Sequence, residues 1–229
     1  MHTQRTVEIA PGAFHLPGFL PEPDQRRVLA AVEAIAAGPA GFYRPRVRGG
    51  GMMHCEMLCL GRHWNAMTYT YEPVRADYDD RPAPPLPADL ARLAERAAAV
   101  AGFGLAPDIC LVNRYGRDGR MGLHQDKDED ASALAAGVPV VSLSLGDTAR
   151  FLLGGFRRRE PTVAVTLASG DAFVMGGPSR LRYHGVARIL AGSGPAGLGL
   201  DGRISLTCRQ FALARPRGRA GSPSSREVP

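Results

Sequence analysis

Near its middle the chain reads Asn113-Arg-Tyr-Gly-Arg-Asp-Gly-Arg-Met-Gly-Leu-His-Gln-Asp-Lys-Asp128, in which His124 and Asp126 stand two positions apart. We expect an extended strand at Leu123–Asp126. Alternate side chains of a strand point to the same face, so the imidazole of His124 and the carboxylate of Asp126 should project together. Such a pair forms half of a metal site.

His184 lies well downstream of this pair, in the strand-like run Tyr183–Ile189. Together with His124 and Asp126 it would complete the two-histidine, one-carboxylate set that holds Fe(II) in non-haem oxygenases. The sequence therefore predicts an Fe(II) site, provided that His184 reaches the other two side chains.

The hydrophobic pattern changes to a period of two after Gly102. Many short strands separated by Gly-rich turns indicate a sandwich or a jelly-roll barrel. The predicted strands are Ile109–Tyr115, Leu123–Asp126, Val138–Leu145, Ala149–Leu153, Val163–Leu167, Asp171–Met175, Tyr183–Ile189 and Arg203–Leu213. We predict a single domain over residues 1–214, mainly β with flanking helices (α+β).

Two helices are predicted before these strands, and both should cover one outer face of the barrel. The first, Gln25–Ala37, would begin after Asp24 as its N-cap residue. The second is Ala88–Ala101. Its predicted buried stripe is Leu90, Leu93, Ala97 and Val100.

Between the two helices, arginines flank the glycines at 49–51, and Trp64, Tyr69 and Tyr71 follow on a predicted loop. The arginine-rich segment fits either a solvated hairpin or a flexible basic lid. Exposed aromatic side chains can stack on flat bases. Burial of Trp64 in the core is the alternative interpretation.

The last predicted strand carries two arginines and two hydroxyl side chains spaced by two, and therefore on one face. They are Arg203, Ser205, Thr207 and Arg209. Buried charges need partners, so this face suits a cavity in which each guanidinium forms bidentate hydrogen bonds with one end of a dicarboxylate. Asn113 and Tyr115 show the same parity on an earlier strand and offer neutral hydrogen bonds. Exposure of the arginine face to solvent is the alternative.

The composition is that of a globular protein of 229 residues with a net charge of +6, and Lys127 is its single lysine. The Arg/Pro/Ser/Gly-rich segment 215–229 is expected to be a disordered basic tail. A basic balance permits a polyanionic partner without identifying one. We find no secretory signal and no apolar run that could span a membrane. The four cysteines lack zinc-site spacing, so we expect reduced thiols in a cytoplasmic protein.

Five motifs occur in a fixed order. They are Asn113-Arg-Tyr115, Gly122-Leu-His124-Gln-Asp126-Lys-Asp128, Val140-Val-Ser-Leu-Ser-Leu-Gly146, Gly176-Gly-Pro-Ser-Arg-Leu-Arg-Tyr-His184-Gly185 and Arg203-Ile-Ser-Leu-Thr-Cys-Arg209-Gln210. Together they resemble the AlkB family of Fe(II)- and 2-oxoglutarate-dependent nucleic-acid dealkylases, and are most similar to its bacterial members. The resemblance covers roughly residues 42–212. It implies a double-stranded β-helix, a jelly-roll variant, with an N-terminal nucleotide-recognition lid at about residues 40–80.

The resemblance also implies roles for individual residues. Fe(II) would be bound by His124, Asp126 and His184. The 2-oxoglutarate residues would be Asn113 and Arg209 at its C1 end, Tyr115 and Arg203 at its distal carboxylate, and Ser205 and Thr207 on the same strand face. Ser205 stands where bacterial members usually have asparagine, and a lid tyrosine is replaced by glycine near Gly51. The substrate residues would be Trp64 stacked on the damaged base, Tyr69 and Tyr71 at the nucleotide backbone, Asp128 near the exocyclic amine, and Arg158.

The implied reaction is oxidative demethylation of bases such as 1-methyladenine and 3-methylcytosine, using Fe(II), O2 and 2-oxoglutarate and releasing formaldehyde. Single-stranded alkylated DNA is the expected substrate, RNA is a second one, and the expected protein is a monomer. Two other functions fit parts of the sequence. One is a hydroxylase of protein or small-molecule side chains, against which Trp64 and the basic lid argue. The other is a cupin-like binding module with a structural metal, which has no need for the inward Arg203 and Arg209.

Overall fold

The structure is a computed structural model, and it describes residues 5–213. The strands, numbered in chain order, are β1 (Val7–Ala10), β2 (Ala13–Leu16), β3 (Glu56–Leu60), β4 (His63–Asn65), β5 (Thr70–Glu72), β6 (Ile109–Tyr115), β7 (Met121–His124), β8 (Val140–Gly146), β9 (Thr148–Leu153), β10 (Val163–Leu167), β11 (Ala172–Met175), β12 (His184–Leu190) and β13 (Arg203–Arg209). The helices are α1 (Glu22–Ala36), α2 (Ala88–Val100) and α3 (Ala131–Ala135). Single 3-10 turns lie at Gly177–Ser179 and Ala196–Leu198.

Within the described chain the strands form two main antiparallel sheets and a hairpin. The larger sheet has the order β1-β2-β11-β8-β13-β6-β3, and the smaller one has the order β10-β9-β12-β7. Strands β4 and β5 pair only with each other. Apolar side chains of β9 and β10 pack against side chains of β2 and β11, so the inner faces of the two main sheets face each other. This arrangement confirms the predicted jelly roll.

The outer face of the larger sheet packs against α1 and α2. Ile204, Leu206 and Cys208 of β13 belong to this core together with Val32 of α1 and Leu90 of α2. Their neighbours on β13 point the other way, because successive side chains of a strand alternate. One strand therefore contributes to the helical core on one face and to the space between the sheets on the other.

Two sequence predictions about the helices were wrong. Helix α1 begins at Glu22 with Pro21 at the N-cap position, and Asp24 lies in its first turn instead of capping it. Pro23 lies in the first turn, which suits proline because its fixed φ is already helical and the N–H groups there have no partner within the helix. Val100 is 41% exposed instead of buried, whereas Ala94 and Ala98 are buried beside the predicted Leu90 and Ala97, and these small side chains allow the helix to lie close to the sheet.

Two further differences concern the site. Strand β7 ends at His124, so Asp126 lies in the loop that follows the strand. Gln125 donates to the backbone oxygen of Leu181, and Arg180 donates to that of Asp126, which draws this segment away from the sheet. Trp64 lies on the β4–β5 hairpin instead of on a loop.

The predicted tail, 215–229, lies outside the described residues. No helix within residues 5–213 is both long enough and apolar enough to cross a membrane.

Candidate active site

The three predicted metal ligands lie together between the sheets. His124 of β7 is the register partner of His184 of β12, and their ring centroids are 4.5 Å apart. Asp126 Oδ1 lies 3.7 Å from His124 Nε2, and its Oδ2 lies 3.4 Å from His184 Nε2. One ligand atom of each residue falls within 4.8 Å of the others, which is a spacing that one metal ion can bridge.

Backbone carbonyls orient both imidazole rings. His124 Nδ1 lies 2.9 Å from the oxygen of Gly122, and His184 Nδ1 lies 3.0 Å from the oxygen of Arg182. These contacts favour a proton on each Nδ1 and leave each Nε2 with a lone pair directed at Asp126. Burial, together with neighbouring His184, lowers the pKa of His124 to about 4, so this ring is neutral at pH 7.

Asp126 is the charged member of the set. Burial alone would raise its pKa, but Arg209, whose Nη2 lies 2.6 Å from Oδ1, and His184 hold the pKa well below its usual range. Among the described residues, Oδ2 is buried and has no hydrogen-bond partner. A buried, unpartnered carboxylate oxygen beside two imidazole Nε2 atoms is a donor set that fits a divalent metal ion, Fe(II) included.

Glu129 is a site residue that the sequence prediction missed. Its buried carboxylate lies 2.9 Å from Arg180 Nη2 and 3.1 Å from Arg209 Nε. Arg180 also donates from Nε to the oxygen of Val138 at 2.8 Å, and from Nη1 to the oxygen of Asp126. The two arginines and two carboxylates form a connected buried network behind the metal ligands. In the sequence, Glu129 is hidden in the acidic run Asp126–Asp130, which is typical of a solvated loop.

Arg203 is a buried cation without an acidic partner among the described residues. It is 1% exposed and donates to the oxygens of Asp147 at 3.2 Å and Leu167 at 3.1 Å, and to Ser144 Oγ at 2.7 Å. Within residues 5–213, its Nε has no acceptor. Burial lowers its pKa to about 10, so the guanidinium is still charged at neutral pH. A buried charge of this kind needs an anion, and the distal carboxylate of 2-oxoglutarate fits that need.

The alternative of a solvent-exposed arginine face is wrong, because Arg203, Ser205 and Arg209 are all buried. A cavity of about 570 Å³ is lined by all the residues that were predicted to bind 2-oxoglutarate: Asn113, Tyr115, Arg203, Ser205, Thr207 and Arg209. Arg209 differs from Arg203, because it already contacts Asp126 and Glu129 and donates to the Tyr71 hydroxyl at 2.8 Å. The individual contacts of these residues with 2-oxoglutarate stay predictions.

The predicted substrate residues line the same cavity. They are Trp64, Tyr69, Tyr71, Asp128 and Arg158. Trp64 Nε1 donates to Asp128 Oδ2 at 2.8 Å, and Tyr69 meets the indole edge-on with ring centroids 5.8 Å apart. Tyr69 is 42% exposed, whereas Tyr71 is buried beside Arg209. Trp64 is partly exposed and faces the cavity, so the structure does not support its burial in the core.

The chain is similar to known 2OG-Fe(II) oxygenases and AlkB proteins. The model of the 2OG-Fe(II) oxygenase superfamily matches residues 12–209. An alpha-ketoglutarate-dependent dioxygenase AlkB homolog of Caulobacter vibrioides is 41% identical over 214 residues, which cover 92% of this chain and 92% of the relative. The alpha-ketoglutarate-dependent dioxygenase AlkB of Escherichia coli is 42% identical over 176 residues, 73% of this chain and 77% of the relative.

The chain belongs to the AlkB family of 2OG-Fe(II) oxygenases. Its family uses Fe(II), 2-oxoglutarate and O2, and the AlkB relatives named above are alpha-ketoglutarate-dependent dioxygenases. The His124–Asp126–His184 cluster is the place where the structure accommodates the metal ion.

Other AlkB-family relatives are longer. The DNA N(6)-methyladenine demethylase ALKBH1C of Arabidopsis thaliana is 36% identical over 224 residues, 89% of this chain and 49% of the relative. The chain thus spans about half the length of this plant protein. The solved structure of OsALKBH1 superposes with a TM-score of 0.85 at 36% identity and covers 90% of this chain and 100% of that one.

Proposed function

We propose that this AlkB-family protein removes N-linked methyl groups from nucleic-acid bases by oxidation. The observation that carries the proposal is a single cavity that joins three kinds of site: the metal ligands, the unpaired buried Arg203, and the Trp64–Asp128 pair. The first two suit Fe(II) and 2-oxoglutarate, and the third suits a flat base with an exocyclic amine.

Fe(II), O2 and 2-oxoglutarate together supply the oxidant, which is consumed in hydroxylating the methyl carbon. The chain's own residues prepare the site for that chemistry. Arg203 holds the distal carboxylate of the cosubstrate, Trp64 stacks on the base, and Asp128 accepts a hydrogen bond from its exocyclic amine. The hydroxymethyl group then leaves the base nitrogen as formaldehyde.

The preferred substrate in this proposal is single-stranded DNA that carries 1-methyladenine or 3-methylcytosine, with RNA as a second substrate. A base inside a duplex must leave the stack to enter a cavity of this kind, and a lesion that cannot pair leaves at lower cost. Both lesions are cationic, which favours a carboxylate such as Asp128. In the same proposal residues 40–80 form a nucleotide-recognition lid on a single domain, and the protein is a cytoplasmic monomer. Its four cysteines are buried free thiols, as expected in a reducing compartment.

A second candidate substrate is N6-methyladenine in DNA. The plant relative ALKBH1C carries that activity in its name and matches 89% of this chain. N6-methyladenine is neutral at pH 7 but retains one exocyclic N–H, and Asp128 has an oxygen besides the one bound to Trp64. The two candidates therefore differ in the charge of the base.

The test is anaerobic assembly with Fe(II) and 2-oxoglutarate, followed by air and an oligonucleotide that carries one of the three modified bases. Loss of the methyl mass with matching formaldehyde supports the proposal and ranks the substrates. Succinate without demethylation would mean that the substrate class is wrong, and a hydroxylase of another substrate becomes the better account. Neither product from metal-loaded protein would favour a binding module.

A further inference from the structure

The loop between β9 and β10, residues 154–160, is held rigidly beside the candidate active site. We call it the Phe156 loop. Gly154 N donates to the oxygen of Tyr183 at 2.7 Å, and Tyr183 N donates to the oxygen of Gly155 at 2.8 Å. Arg182 adds a bond from Nη1 to the oxygen of Gly154 at 2.9 Å. These bonds attach the loop to the residues that directly precede the metal ligand His184.

Glu160 closes the loop from its other end. Its carboxylate accepts a hydrogen bond from Phe156 N at 3.0 Å, and its own N–H donates to the oxygen of Arg157 at 3.1 Å. The carboxylate of Glu160 also lies against Gly155, so closely that a Cβ at position 155 would be 1.5 Å from Oε2. Gly155 therefore allows a turn that presents the following side chain in one defined position.

That side chain is Phe156, whose ring is 54% exposed although its backbone is held. The guanidinium of Arg182 lies 5.0 Å from the ring centroid. The next three residues, Arg157–Arg159, are exposed arginines that form no ion pair with an acidic side chain in residues 5–213. A fixed, exposed phenyl ring among unpaired cations matches the combination by which proteins bind single-stranded nucleic acid, namely stacking on bases and attraction of phosphates.

The loop also lies between two concave sites. Arg158 lines the main cavity with the metal ligands. Phe156 lines a separate groove of about 260 Å³ whose other walls include Leu134, Pro178 and Leu181. Phe156 precedes Arg158 by two residues and is the aromatic side chain of the loop, so it is the ring that a strand passing Arg158 would meet first on this loop.

We propose that Phe156 is the stacking platform for the base adjacent to the target nucleotide, with Arg157 and Arg159 holding the phosphates on either side. This assignment rests on the proposed function, because it needs a nucleic-acid substrate. It makes the Phe156 loop a determinant of substrate length, since a mononucleotide has no neighbouring base to stack.

The experiment compares a methylated mononucleotide with a pentanucleotide that carries the same lesion at its centre. The variants are Phe156→Ala and Phe156→Leu, with Val163→Ala as the matched control because Val163 is a similarly exposed apolar residue at 56%. KM and kcat are measured by formaldehyde release. Binding is measured anaerobically through the fluorescence of 2-aminopurine placed next to the lesion, which stacking quenches.

We expect Phe156→Ala to raise the pentanucleotide KM by roughly tenfold, the lower part of the range for loss of one base–aromatic stack, with kcat unchanged. Quenching of 2-aminopurine should be lost, the mononucleotide should be unaffected, and Phe156→Leu should resemble Phe156→Ala. Equal losses on both substrates, or no loss on either, would overturn the stacking proposal while leaving the demethylase function in place. If the wild-type protein demethylates neither substrate, the proposed function and this inference fail together.

Discussion

The guanidinium of Arg180 lies 2.9 Å from the carboxylate of Glu129, and both side chains are almost completely buried. Arg180 precedes His184 by four residues, and Glu129 follows Asp126 by three, so this ion pair connects the two chain segments that supply the metal ligands. The same Glu129 contacts Arg209, which in turn contacts Asp126. The position of Asp126 thus depends on a network that extends beyond the ligands themselves.

Glu129→Gln tests that network. The substitution keeps the shape of the side chain but leaves two buried guanidinium groups short of one carboxylate, and we expect a loss of about 3–5 kcal/mol in the free energy of unfolding. Weaker binding of Mn(II), used as a substitute for Fe(II), should accompany it. The control is Glu56→Gln. The partner of Glu56, Arg114, is 43% exposed, so loss of this ion pair should lower the free energy of unfolding by less than about 1 kcal/mol. Equal small losses in urea titrations of the two variants would contradict the prediction.

Asp126→Ala removes the only carboxylate among the candidate ligands. We expect metal affinity to fall by more than the roughly 10–100-fold that a change outside the ligand set produces. Formaldehyde release should disappear. Titration with Co(II), followed by its visible absorption, measures binding directly. Retention of near-normal demethylation by this variant would show that the ligand assignment is wrong.

Arg203→Met separates cosubstrate binding from metal binding. Because Arg203 is a buried cation with no acidic partner in the described chain, its loss should weaken 2-oxoglutarate binding by roughly 100-fold while leaving Mn(II) binding intact. The readout is thermal unfolding with Mn(II), with and without 2-oxoglutarate, since a ligand that binds the native state raises the unfolding temperature. Arg203→Lys should recover part of the shift. An undiminished shift in Arg203→Met would place the distal carboxylate elsewhere.

Asp128→Asn distinguishes cationic from neutral substrates. An asparagine oxygen still accepts the hydrogen bond from Trp64, so the indole should keep its position. The negative charge is lost for both bases, but only the cationic base also loses an attraction between opposite charges, which is worth about 1 kcal/mol when partly exposed to solvent. We therefore expect kcat/KM for 1-methyladenine to fall roughly fivefold more than kcat/KM for N6-methyladenine. Parallel losses on both substrates would mean that Asp128 acts only by holding Trp64.

Asp171 provides a pH prediction away from the metal ligands. Burial alone would raise its pKa, but hydrogen bonds from His15, Gly18 and Ala168 lower it below 3.8. A carboxyl group with a depressed folded-state pKa stabilises the protein above its unfolded-state pKa, and loses that effect as the pH falls through the folded value.

The corresponding variant is Asp171→Asn, which we expect to be less stable than the wild-type protein by about 2 kcal/mol at pH 7. The difference should shrink as the pH falls below 3.8. Urea unfolding of both proteins between pH 7 and pH 3 measures it. A difference that does not change with pH would contradict the assignment.

The sequence predicted most of the strands and the set of metal ligands, because period-two alternation and His-x-Asp spacing are local patterns. It placed Asp126 on a strand, although the strand ends at His124. The residues that end it, Gln125 and Arg180, act through contacts with distant parts of the chain, and local spacing carries no signal for such contacts.

Two other features could not be predicted from local sequence patterns. The β4–β5 hairpin holds Trp64 on a three-residue strand, too short for alternation to show. Glu129 lies in a run of charges that normally indicates solvent, and only its two distant arginine partners explain its burial. The useful signal in the sequence was the pair of inward arginines predicted on the last strand, because one of them, Arg209, needs the carboxylates that Glu129 and Asp126 provide.

Strand β13 has one face on the helices and the other in the cavity. Its odd-numbered positions, 203 to 209, line the cavity and are constrained by ligand binding. Its even-numbered positions, 204 to 208, lie in the core and are constrained by packing. The two sets can be diversified independently in a mutant library. Randomising the even positions would search for thermal robustness with the ligand-binding side chains untouched. Randomising the odd positions other than 209, which belongs to the buried network with Glu129, would search for new cosubstrates.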